Sequence, residues 1–171
     1  MSDTITSLAR VSADPSILRS VRDEACSLAI WEREAENWIE RLLDGEPRDV
    51  RVHTSLEKLR SGLAEALLSS GFANSNLHSR LIDEIAELAD LYCSIIGLDE
   101  LEVRLEVVTT NSCRKWHADY VKARLIATYV GDGTQWLDAD DVDRVREGGE
   151  PQQINQLRTR DVGIFKGKLA T

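Results

Sequence analysis

Apolar residues change their period near residue 100 of the chain, from a spacing of three to four to strict alternation. In the later part, LEVRLEVV sets Leu101, Val103, Leu105 and Val107 against Glu102, Arg104 and Glu106, the pattern of a half-buried strand. KARLIATYV repeats it, with Ala123, Leu125, Ala127 and Tyr129 opposite Arg124, Ile126 and Thr128, and GDGT then turns the chain. DVGIFKG, residues 161–167, is a third strand. Between these, ADDVDRVREGGEPQQ is acidic and carries Gly148, Gly149 and Pro151, which predicts a surface loop with room for one helical turn.

The earlier part reads as helical. Asp14 before Pro15 is a helix N-cap followed by a proline in the first turn, where the missing N–H costs nothing. Two readings then compete. Leu18, Val21, Ala25, Leu28, Ala35, Trp38, Ile39 and Leu42 can form one helical face closed by Gly45, or SLAIW at 27–31 can break it as a short buried strand; the break is preferred. After Pro47, RDVRVH alternates as a strand, and Thr54 with Glu57 makes a capping box that opens a helix to about Gly71. A second helix runs from about Leu77, with Leu81, Ile85, Leu88, Tyr92 and Ile95 on one face, and stops at Gly97. The expected fold class is α+β: one domain over 1–171, with a mainly helical part (1–99) packed on a mainly β part (100–171) that forms an antiparallel sheet.

Composition narrows the function classes. A chain of 171 residues, 42% hydrophobic and 30% charged, can bury a core without disulfides or a structural metal. A net charge of -9 argues against a sequence-independent grip on nucleic acid, which needs clustered Lys and Arg. The three cysteines, Cys26, Cys93 and Cys113, are widely spaced and form no CxxC pair, which fits a reducing cytoplasm. No stretch approaches the 18 or so apolar residues of a membrane helix, so a soluble protein without a membrane partner is expected.

Candidate chemistry concentrates in CRKWHADY. Residues two apart on an extended chain share a face, so His117 and Asp119 can aim an imidazole and a carboxylate at one point, the edge of a metal site. Cys113 lies four residues upstream and could be a soft ligand if the chain curls back. Plain alternatives stay open: an HxD pair in a surface loop, Cys113 as a small buried hydrophobe, and Trp116, Tyr129 and Trp136 as core aromatics. Arg104 and Arg124 read as solvated or paired charges, Lys166 as a snorkelling lysine, and His53 and His78 as structural or exposed. No nucleophile elbow, phosphate-binding loop, dinucleotide fingerprint or HExxH motif is present.

LEVRLEVV, the C-x3-H-x-D and RL-x-x-TY-x-G-x-GT-x-W pattern of residues 113–136, DVGIFKG, and SLAIWER near the start together resemble the bacterial domain-of-unknown-function family 1826. The resemblance implies a link to metal homeostasis and no named reaction. The family pattern is in turn similar to a double-stranded β-helix, or jelly-roll-like, oxygenase domain, in which an HRSP-like segment after the FKG strand supplies a further histidine. This chain has no histidine after Asp119 and ends at Thr171, so the expected fold is an incomplete double-stranded β-helix. The site is then completed by a ligand such as Cys113 or His53, belongs to a shortened form of the domain, or no longer binds metal.

The resulting expectation is a metal-binding protein related to non-haem iron oxygenases, with His117, Asp119 and Cys113 as ligands of Fe(II) or Zn(II). A small-molecule substrate is expected if it is an enzyme, with Arg124 or Lys166 anchoring a co-substrate carboxylate. The rival is a non-catalytic protein of zinc or metal homeostasis acting through protein contacts. An unclosed sheet leaves an edge that its own helices or a second copy in a homo-oligomer would cover.

Overall fold

The computed structural model describes residues 8–109, 116 and 120–170. In chain order the elements are β1 (Leu8–Ser12), a 3-10 helix (Pro15–Arg22), β2 (Cys26–Trp31), a 3-10 helix (Trp38–Asp44), β3 (Val50–Ser55), α1 (Leu56–Ser69), a short 3-10 turn (Ser75–Leu77) and α2 (His78–Ile96). There follow β4 (Glu100–Leu105), β5 (Ala123–Ala127), β6 (Gln135–Trp136), α3 (Ala139–Arg146), β7 (Asn155–Gln156) and β8 (Val162–Lys166). The fold is α+β. Among the described residues no helix is long and apolar enough to cross a membrane.

Two compact units divide the chain, one from its middle, starting at Glu36, and one from its two ends, up to Ala35 and again over the last third. In the middle unit β3 and β4 pair antiparallel from Val50 with Leu105 to Ser55 with Glu100. One face of this ribbon is apolar and meets α1, whose Leu59, Leu63 and Leu67, four apart, make a single buried stripe. The stripe also meets α2, which buries Leu81, Ile85, Leu88 and Ile95, the face expected from its period. Gly97 ends α2 in the left-handed region at φ 77°, and its N–H donates to the Cys93 carbonyl at 2.8 Å. The start of α1 differs from expectation by one residue. Its N-cap is Ser55, and the Thr54 hydroxyl donates to the Ser55 carbonyl instead of accepting from a helix N–H, since the β3 ladder runs through Thr54 to Ser55.

The other unit is built on a four-stranded sheet in the order β1-β2-β8-β5. It is mixed and not purely antiparallel, since β1 runs parallel to β2 while β8 is antiparallel to both β2 and β5. The sheet therefore takes two strands from the part of the chain expected to be mainly helical. The break at SLAIW is real, and it is a buried one: Cys26, Leu28, Ala29 and Ile30 are all buried. Asp14 caps the preceding helix through its carboxylate, which accepts from Ser16 N at 2.8 Å, but that helix is of the 3-10 type. It lies on one sheet face, where Leu18, Ala29, Val162 and Ile164 are fully buried.

The opposite face carries Leu28, Ile30 and Phe165, and is covered by Leu157 and Trp136 from the β6–β7 segment. Close packing here crowds two glycines, one against side-chain ends and one against backbone. A Cβ at Gly163 would stand 2.8 Å from Phe165 Cε2 and 2.9 Å from Leu157 Cδ2, and one at Gly133 would stand 2.1 Å from the Leu157 carbonyl oxygen. The acidic segment expected as a loop holds α3, two turns long. Asp138 caps it, accepting from Asp141 N at 3.1 Å, and buried Asp141 accepts from Gln152 N at 2.7 Å and Gln153 N at 2.9 Å, folding the Gly-Gly-containing loop back on the helix.

Gly133→Ala meets backbone and must part β6 from β7, so it costs about 3 kcal/mol. Gly131→Ala, at φ 83° with open space around it, costs about 1 kcal/mol of left-handed strain. Urea unfolding of both variants checks the order; equal losses would refute the close approach. The Gln152 N–H foremost, with Gln153 N–H and Arg144, holds the Asp141 carboxyl below the ordinary carboxylate range. A depressed folded pKa contributes stability that is present above the unfolded value, about 3.9, and is lost as pH falls through the folded one. An Asp141→Asn variant is therefore less stable than the wild type at neutral pH, and the gap narrows in acid; a gap of constant size from neutral pH down to acid-induced unfolding would contradict this.

Candidate functional site

Cys113, His117 and Asp119, the expected metal ligands, lie outside the described residues. Their described neighbours are Trp116, 38% exposed, and Tyr120, 76% exposed. From Tyr120 the chain leads into β5, and it is held there by backbone bonds. Gly167 N donates to the Lys122 carbonyl at 2.9 Å and Leu169 N to the Val121 carbonyl at 3.1 Å, carrying the β5–β8 pairing two residues beyond its last regular pair, Ala123 with Lys166.

The two candidate carboxylate anchors fall on opposite sides of the sheet. Directly paired residues share a face, and Lys166 pairs with Ala123 while Arg124 pairs with Phe165. Lys166 therefore belongs to the face covered by the first 3-10 helix. Its ammonium donates to the Asp23 carbonyl at 2.6 Å, just past that helix. The Arg10 guanidinium donates to the Asp23 carboxylate at 2.7 Å, and this bond, helped by the Ala25 N–H, holds the Asp23 carboxyl below its usual range. Arg124 belongs to the face that carries Phe165, Leu28 and Ile30, beneath the β6–β7 segment, and is half-buried there. The structure does not bring these two cations together.

The remaining candidates are placed plainly. His53 is exposed on β3, paired with Glu102, in the middle unit. His78 is buried at the start of α2, with Nε2 3.3 Å from the Phe72 carbonyl oxygen. Arg104 donates to Glu102, which Arg51 also bridges at 2.7 Å, so it is a paired surface charge. Trp136 packs on the Leu28, Ile30 and Leu157 cluster as a core aromatic, whereas Tyr129 has its ring 5.8 Å from the Arg33 guanidinium, which also stands 5.3 Å from Trp31. Among the described residues no group of three or more His, Cys, Asp or Glu side chains could hold a metal ion.

Two contacts were not anticipated from the sequence. Lys168 places its ammonium 5.1 Å from the centre of the Tyr120 ring. Asp161, buried, accepts from Arg33 N at 3.3 Å and from Arg158 N at 2.8 Å. Nothing in the local pattern marks either, because each joins segments far apart in the chain or separated by a turn.

The family described as "Protein of unknown function (DUF1826)" matches residues 12–171, and the chain belongs to it. No curated protein and no solved structure matches the chain.

Burial decides which thiol is available to chemistry. Cys26 and Cys93 are buried, and desolvation pushes both thiols up. Titration of the native protein with an aromatic disulfide at neutral pH is expected to modify no more than Cys113, and all three cysteines after denaturation. Native labelling mapped to Cys26 or Cys93 would overturn this placement.

Proposed function

We propose that this DUF1826-family member is a metal-binding protein related to non-haem iron oxygenases, in which His117 and Asp119 supply an imidazole and a carboxylate to one ion. Cys113 is the third donor or its close neighbour. The observation that most supports this reading is the nested pairing of the strands that follow His117 and Asp119 in the chain. β5 pairs antiparallel with β8, and the chain between them folds back so that β6 pairs antiparallel with β7. Nested antiparallel pairs, folded so that outer and inner pairs lie in different sheets, are how a jelly roll is wound, and two such pairs make half of one. The incomplete double-stranded β-helix reading rests on this pattern together with the sequence resemblance.

In such a roll the ligand space lies between the two sheets. Arg124 is on the face that the β6–β7 segment covers, so we assign it, and not Lys166, the role of holding a small oxo-acid by its carboxylate. A guanidinium forks onto both carboxylate oxygens, which fixes the orientation of the acid as well as its charge. Phe165 beside it and the Leu28, Ile30 and Leu157 cluster next to it keep water from that side. An imidazole and a carboxylate suit Fe(II) or Zn(II) alike. When bound, iron would supply oxygen chemistry and zinc Lewis-acid chemistry, and the chain's own groups bind and orient what is acted on.

Protein purified without chelator or affinity tag is expected to retain about one metal ion per chain, and a His117→Ala, Asp119→Ala double variant to lose it. Equal trace metal in both would defeat the assignment. After anaerobic loading with Fe(II), oxo-acid-dependent O2 uptake supports the oxygenase reading, while tight zinc retention without uptake turns it toward homeostasis. Arg124→Met is expected to weaken oxo-acid binding about 10- to 100-fold with metal content unchanged; unchanged affinity would remove Arg124 from the site.

A further inference from the structure

The β3–β4 ribbon of the middle unit has an open edge. Alternate residues of an antiparallel strand turn their N–H and C=O groups away from the partner strand. Among the described residues no strand pairs with the outer side of β4, and beyond its ladder with β3 its backbone makes no hydrogen bond to them. β4 also lacks the usual protection of an edge: its six residues, ELEVRL, hold no proline and no lysine, and its register with β3 has no bulge.

Charge along β4 alternates in sign on the exposed face. Directly paired residues share a face, and on this one Arg51 stands opposite Arg104 and His53 opposite Glu102. Like charges facing each other across a ribbon destabilise it, and one carboxylate serves both guanidiniums here. Arg51 Nε donates to one oxygen of Glu102 at 2.7 Å, and Arg104 Nε donates to the other. On its β3 side Arg104 thus meets a cation, while its other side is the open edge.

We propose that a second copy of this chain occupies that edge, with β4 pairing antiparallel to β4 about a two-fold axis at Val103. In this register Glu102 of each copy faces Arg104 of the other, twice. On the apolar face Val103, half-buried in one copy, meets its equivalent, and Leu101 meets Leu105. Centring the pair on Glu102 or on Arg104 would instead set that charge against itself. β3 matches itself less well, because VRVHTS has no carboxylate to offer Arg51. Glu100 would face Glu106 of the second copy, which lies past the last residue of β4, so the charge match is confined to the centre. The contact is isologous and closes as a dimer. It makes one four-stranded sheet, β3-β4-β4-β3, with the helices of both middle units on one face and the charges on the other. Nothing in it depends on the metal reading.

The test is sedimentation equilibrium of the full chain over a range of concentrations at low salt, with amide exchange read by mass spectrometry on the same samples. A reversible monomer–dimer equilibrium is expected. Exchange at Glu100–Leu105 is expected to slow as concentration rises, while β1 and β5, the edges of the other sheet, do not change. Arg104→Glu sets like charges opposite each other at both central pairs and is expected to weaken the dimer about 10- to 100-fold. The double variant Glu102→Arg, Arg104→Glu restores opposite charges and is expected to regain it, with circular dichroism showing that each variant is folded. A chain that stays monomeric, or a dimer whose β4 amides exchange at the monomer rate, overturns the proposal. So does an Arg104→Glu protein that pairs as tightly as the wild type, or a folded double variant that stays monomeric. Growth beyond the dimer would mean head-to-tail pairing of β4 with β3 and would overturn the closed pair.

Discussion

The buried carboxylate of Asp161 sets where β8 begins, and most of what can be said about the candidate site depends on that position. It accepts from the backbone N–H of Arg33, two residues past β2, and from the backbone and guanidinium of Arg158. Arg33 Nε donates to the Arg160 carbonyl at 2.7 Å, and Arg160 N donates to the Thr128 carbonyl at 2.7 Å. These bonds tie the ends of β2 and β5 to the start of β8. Arg160 sits in the left-handed region, at φ 71°, a conformation that a side chain other than glycine adopts only when its surroundings hold it. A slip of one residue in β8 would exchange Ile164 and Phe165 between faces. It would also turn Lys166 onto the face of Arg124. The carboxylate thus helps keep the two cations on opposite faces of the sheet.

That dependence explains what the sequence could and could not disclose. Alternation in LEVRLEVV, KARLIATYV and DVGIFKG was enough to find β4, β5 and β8, and to separate Arg124 from Leu125 along its own strand. Helical period and Gly97 were enough for α2. These are local signals, carried within a dozen residues. Pairing is not local. The parallel contact of β1 with β2 joins LARVS to CSLAIW across a 3-10 helix, and β2 reaches β8 across more than a hundred residues. A mixed sheet drawing on both ends of the chain left no periodic trace. The capping box at Thr54 failed for a related reason: its hydroxyl and backbone were already engaged in a strand, and tertiary pairing outweighs a local helix-start preference. Similarly, an acidic run with Gly148 and Gly149 looked like a loop because its helix is stabilised by Asp141 accepting from Gln152 and Gln153, residues outside the helix itself.

For the site, the sequence offered residue types and could not offer faces. Arg124 and Lys166 were equivalent candidates as long as each was only a cation on a strand. The register makes them different, because Lys166 shares a face with Ala123 and the first 3-10 helix while Arg124 shares one with Phe165. Lys168 was overlooked since it lies past the last alternating residue, where the β5–β8 pairing gains one residue and turns. His117, Asp119 and Cys113 rest on residue type and spacing and lie outside the described residues.

The net charge of -9 looks at first like an argument against any anionic ligand. Its force depends on distance. At physiological ionic strength the screening length is about 8 Å, so exposed carboxylates farther away than that contribute little to the potential at Lys168 or Arg124. The global charge acts on the approach from solution and slows it. Once a ligand has arrived, the groups within one screening length of it outweigh the net charge of the chain.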